Sequence, residues 1–134
     1  MATNKSYLLA FLSGACGKSL AEAVIQFGTI VITDVYAENG RTQDDAKNKL
    51  TILFLISNIL QFPSAIAAGN LCDKYKIYKV NFVYLILALI SMILMMVNLQ
   101  EMGVLFDIGF ILALIVYGVN LLICKTMLAR ITQS

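Results

Sequence analysis

The chain has 134 residues, of which 60% are hydrophobic and only 13% charged, with a formal net charge of +2. A soluble domain carries roughly 25% charged residues, and a mean hydropathy of +0.83 puts this chain in the membrane class. There is no His, no basic patch interleaved with aromatics, and only three scattered cysteines, Cys16, Cys72 and Cys124. These features argue against nucleic-acid binding, a metal site, a cofactor and hydrolytic or redox catalysis.

The first apolar segment runs over 6–36, long for a span and the most polar of four. Lys18, Glu22, Gln26, Thr29 and Thr33 fall within about 80° of arc on one helical face. Gly14 and Gly17 lie near the start of that stripe and permit close helix approach. A Lys or Asp at the centre of a membrane helix costs roughly 2.5–3.5 kcal/mol on insertion scales, so the stripe is expected to face a bundle interior or a wet cavity. Two readings stand. Either Lys18 and Glu22 neutralise each other as an i,i+4 pair inside a bundle, or Glu22 is a proton- or cation-coupling carboxylate in a cavity with Lys18, Gln26 and Thr29. Residues 14–19 look like a phosphate-binding loop, but Leu12 stands where the pattern needs Gly, and no strand precedes it.

A polar loop over 38–49 follows, with Asn39-Gly40 as a turn signal. Thr42 and Asp45 have capping-box spacing, which predicts a short surface helix leading into the second span. That span covers 50–68. Ser57, Gln61, Ser64 and Ala68 share a face, with Asn58 beside it, and suit a helix interface. Pro63 is expected to kink the helix or mark a flexible point. The stretch 69–80 then reads as a short, basic, polar turn between two apolar runs. The third span, 80–99, is nearly featureless. A very short turn, Gln100-Glu101-Met102-Gly103, leads to the fourth, 104–124, which has Asp107 near its start and Gly109, Gly118 and Asn120 as breaks.

The expected architecture is therefore an all-α membrane protein, one domain of four transmembrane helices. Orientation follows from the Lys and Arg count. With both termini on one side, that side holds Lys5, Lys74, Lys76, Lys79, Lys125 and Arg130, and the other Arg41, Lys47 and Lys49. Six against three favours both termini inside.

In that topology, Gly69, Leu71, Asp73 and Lys74 form a basic inside loop between spans two and three. The loop resembles the signature loop of the major facilitator superfamily, G-x-L-x-D-R/K-x-G-R/K-R/K. The match is imperfect, because the later glycine of the pattern is Lys76 here and the basic pair is displaced. The resemblance implies the first four helices of a major facilitator half. In that family two six-helix halves bind solute between them near the midplane, and the signature loop latches the halves. It further implies that Gly69 packs closely, that Asp73 meets a helix end, that Lys74 pairs with an acid, and that the first helix lines the cavity. Three functions follow. One is a truncated, solute-transporter-related protein needing further helices or partners to act. Another is a non-transporting accessory subunit of a large membrane complex, for example in an energy-transducing organellar inner membrane. The last is a small dimeric multidrug-type exporter, also built on four spans with a carboxylate in the first. Expected partners are the lipid bilayer and other membrane subunits or a second copy. The substrate is not specified.

Overall fold

The computed structural model describes residues 2–97, 99 and 103–133. Four helices account for almost all of them: α1 (Ala2–Glu38), α2 (Gln43–Lys74), α3 (Ile77–Val97) and α4 (Val104–Gln133). All four are long and apolar enough to cross a membrane, and no strand occurs among the described residues.

Helix boundaries depart from hydropathy boundaries for a simple reason. Apolar runs mark what meets lipid, whereas a helix continues until its backbone groups are capped. The loop at 38–49 shrinks to a few residues around Gly40, whose φ of 69° suits a residue without Cβ. Thr42 then caps α2 with a reciprocal capping box to Asp45, and the helix runs unbroken from there. The expected surface helix and second span are one element, and it continues through Pro63 without interruption. At the other end, α2 carries on past 68 through Asn70, Cys72 and Asp73 to Lys74. It stops where Tyr75 turns extended (φ −121°, ψ 161°), its N–H donating to Leu71 O. The polar turn expected over 69–80 is thus only Tyr75 and Lys76, the rest being helical. The turn expected at 100–103 lies, but for Gly103, outside the described residues, as do Asn98 and Glu101.

α4 is the centre of the bundle. It packs against each of the other three helices. Some 44% of its apolar window is buried, against 6% for α1. Lipid is as apolar as Leu, so tight packing and interhelical hydrogen bonds must hold such helices together. Glycines on α4 and on α1 make this possible. Against α3, a Cβ at Gly109 would lie 2.8 Å from Ser91 O. Against α2, the Gln61 side chain fills the space a side chain at Gly118 would need. Against α1, Phe110 occupies the space beside Gly28, and the Asn120 amide that beside Gly17.

Two apolar clusters flank this tightly packed middle. Near the α1–α2 loop, Phe106 and Phe110 are fully buried with Ile32, Leu50, Leu53 and Met95, and Phe54 meets Phe110 edge-on at 5.8 Å. Near the α2–α3 hairpin, Ala68, Cys72, Val80, Val119 and Ile123 form the second. Contacts between α4 and Asp73, and between α1 and Asn81, bring the start of α1 and the end of α4 to the hairpin end.

Gly109→Ala should destabilise the bundle by about 1–3 kcal/mol, because Ser91 and Met95 must move. At Gly69 a Cβ meets nothing within 4 Å, so Gly69→Ala should be neutral or slightly stabilising. Thermal unfolding of both variants in one detergent checks the contrast.

Candidate functional site

The polar stripe of α1 is split by the fold. Thr29 and Thr33 are half-buried, and their hydroxyls donate back to Ile25 O (2.7 Å) and Thr29 O (2.8 Å). Lys18, Glu22 and Gln26 face away from the other three helices. Lys18 Nζ and Glu22 Oε1 are 3.8 Å apart, with 60% and 56% of the side chains exposed. The i,i+4 pair exists, but on the outside of the bundle and not within it. The reason is that α1 turns a different face inward. Ala10, Gly14, Gly17, Gly28 and Ile32 meet the bundle, and at 100° per residue their face is centred roughly 110° from the stripe. Gly14 and Gly17 belong to that face. Residue 20 is the midpoint of α1, so Lys18 and Glu22 flank its mid-length, and charge is costliest at the centre of a helix that crosses a membrane.

On α2, Ser57 is buried and donates to Leu53 O at 2.7 Å. Gln61 bridges to α4, its Nε2 donating to Leu114 O at 3.4 Å above Gly118. Asn58 and Pro63 are exposed. Asn58 and Gln61 line an open groove between α2 and α4 with Phe62, Ala65 and Lys125, of about 430 Å³. Asn58 is thus an amide presented outward, like the α1 stripe, whereas Gln61 is turned onto α4.

The end of α2 is tied to α4. Arg130 Nη2 lies 3.3 Å from Asp73 Oδ1, and Nη1 donates to Cys72 O at 3.4 Å. The cation thus meets a carboxylate and an orphan carbonyl of a helix C-terminus together. Asp73 is largely exposed even so. Lys74 ends α2 and is exposed, and Gly69 faces open space. The close approach expected at Gly69 is not made within these four helices.

Three features escaped the sequence reading. Asn81 of α3 is buried and donates from Nδ2 to Ser13 Oγ of α1 at 3.0 Å, while its Oδ1 accepts no bond. Asn120 of α4 packs on Gly17 and accepts a bond from the Cys124 thiol at 3.7 Å. At the loop end Lys49 Nζ and Asp107 Oδ1 are 2.9 Å apart and mostly buried, beside the Tyr36 ring, which carries Lys49 at 5.8 Å and Arg41 at 5.0 Å. Asp107 lies in the first turn of α4, where the helix dipole favours an anion. The signals were visible as isolated polar letters in apolar runs, but not as pairs.

Between α1, α3 and α4 lies a cavity of about 40 Å³, bounded by Gly17, Tyr84, Ser91, Tyr117 and Asn120 among others. That is room for a water or two, not for a solute. Among the described residues no cluster of His, Cys, Asp and Glu could hold a metal.

Asp107→Asn should cost about 1–2 kcal/mol, since Lys49 is left mostly buried beside a neutral partner. Asp44→Asn, on the exposed first turn of α2, should be within about 0.5 kcal/mol of wild type. Denaturation midpoints measured side by side check this.

The chain matches no protein-family model, and neither a curated protein nor a solved structure shows significant similarity to it.

Proposed function

We propose that these four helices are a solute-transporter-type membrane module, related to the major facilitator superfamily, that acts only when further membrane helices cover its outward polar faces. One observation carries this reading. Lys18, Glu22 and Gln26 lie at the mid-length of a membrane-length helix and turn away from its own bundle. Two charges and an amide at that depth are stable only against protein or a water-filled cavity. The exposed amide of Asn58 in the α2–α4 groove asks for the same cover. Open space at Gly69 and the exposure of Asp73 are consistent with a signature loop whose counterpart lies on another helix set. In this reading the hairpin and both termini are on the inside, the polar face of α1 lines the solute path, and Glu22 is its coupling carboxylate with Lys18 modulating it.

A second reading rests on a different observation. The cavity between α1, α3 and α4 is only about 40 Å³, and Lys18 and Glu22 already serve each other. This suits an accessory subunit without transport, whose α1 face is glue to a larger complex. The dimeric exporter plan is the weakest of the three, because the charge bias favours a single orientation.

The deciding experiment is native mass after gentle extraction, paired with the Glu22→Gln and Lys18→Leu/Glu22→Leu variants. The leading reading expects the double variant to fold but lose its partner helices. It expects Glu22→Gln to fold, assemble and lose uptake. An accessory role instead expects Glu22→Gln to weaken assembly by stranding Lys18. A double variant with native mass and activity unchanged would defeat both.

A further inference from the structure

We propose that the cleft at the α2–α3 hairpin binds an anionic phospholipid, one acyl chain lying in the cleft and the headgroup on the hairpin lysines. The cleft has a volume of about 270 Å³ and is lined by Leu71 and Tyr75 of the α2 end and by Lys79, Val80, Val83 and Tyr84 of α3. Val80 is its buried floor, while Leu71, Tyr75 and Val83 are exposed along its walls. Its lining is apolar apart from the polar tips of Lys79 and the tyrosines.

Depth turns this groove into a lipid site. α3 is 21 residues long, about 31 Å, which matches the hydrocarbon thickness. Its first turn, with Tyr78 and Lys79, is therefore at the headgroup boundary, and Val83 and Tyr84 are one turn deeper. Tyr75 and Tyr78, both exposed, stand at the level where amphipathic rings settle. The groove starts among headgroups and runs inward along the acyl chains.

Charge selects the headgroup. Lys74, Lys76 and Lys79 crowd the hairpin, and the one acid among them, Asp73, is engaged by Arg130 at 3.3 Å. None of the three lysines has an ion-pair partner among the described residues. The loop end is built the other way, with Lys49 on Asp107 and Arg41 over Tyr36. At the loop end Asp34, Glu38, Asp44, Asp45 and Asp107 outnumber Arg41, Lys47 and Lys49, so the surplus of positive charge lies at the end that carries the cleft. A zwitterionic headgroup leaves that surplus in place, whereas a phosphatidylglycerol-type headgroup neutralises it. The site stands whether or not the module transports.

The test uses the full chain in phosphatidylcholine vesicles with and without phosphatidylglycerol, released into native mass spectrometry to count retained lipids. Wild type should retain phosphatidylglycerol over phosphatidylcholine by at least about tenfold at equal mole fraction, a floor for three lysines near the headgroups. Lys74→Gln/Lys76→Gln/Lys79→Gln should abolish the preference, and Val83→Trp should displace the retained lipid by filling the cleft. Lys47→Gln, at the loop end, should change nothing. Absence of the preference in wild type overturns the proposal without recourse to any variant. So does retention undiminished in the triple variant or in Val83→Trp.

Discussion

Everything in this bundle depends on how closely α4 is approached by its three neighbours. The hydrophobic effect gives no net pull between apolar helices already dissolved in lipid. Van der Waals contact then has to be won by distance, and distance is set by glycine. At Gly109 the α3 backbone itself comes to α4. At Gly118 and Gly17 the approach also seats an amide, Gln61 or Asn120, against the bare helix surface. Packing and polar satisfaction are therefore not separate achievements here. The glycine that admits the neighbour also shields the neighbour's polar group from lipid, where an unpaired amide is expensive.

The polar side chains fall into two populations by this criterion. Ser57, Thr29 and Thr33 return their hydroxyls to their own helices, and Gln61, Asn81 and Asn120 are held between helices. Lys18, Glu22, Gln26 and Asn58 have no such shelter from the other helices. The first group explains why the four helices hold together. The second is unexplained by the four helices alone, and the functional reading grows from it.

The sequence was informative about periodicity and poor about direction. Four apolar runs made four spanning helices legible, and the Thr42 and Asp45 spacing made the α2 cap legible, because both signals are local. Hydropathy does not mark the helix ends where helix outlasts it, as at 70–74. The α1 stripe was readable as one face, since that needs only 100° per residue. What the face meets was not readable, because glycines 14, 17 and 28 compete for the bundle from another side and win by allowing closer approach. Asp73 with Arg130 and Lys49 with Asp107 join residues 57 and 58 apart in sequence, and no local pattern announces such pairs.

The helices also differ in length, and this difference has a consequence for the membrane that hosts them. α1, α2 and α4 have 37, 32 and 30 residues, whereas α3 has 21. The three longer helices have surplus turns and can slide or tilt to suit bilayers of different thickness. α3 has no such reserve, and the two-residue turn at Tyr75 and Lys76 ties its start to the end of α2. It is the gauge of the bundle. In a bilayer much thicker or thinner than about 31 Å the strain of mismatch falls first on α3, and so on the glycine contact with α4 that holds the bundle together.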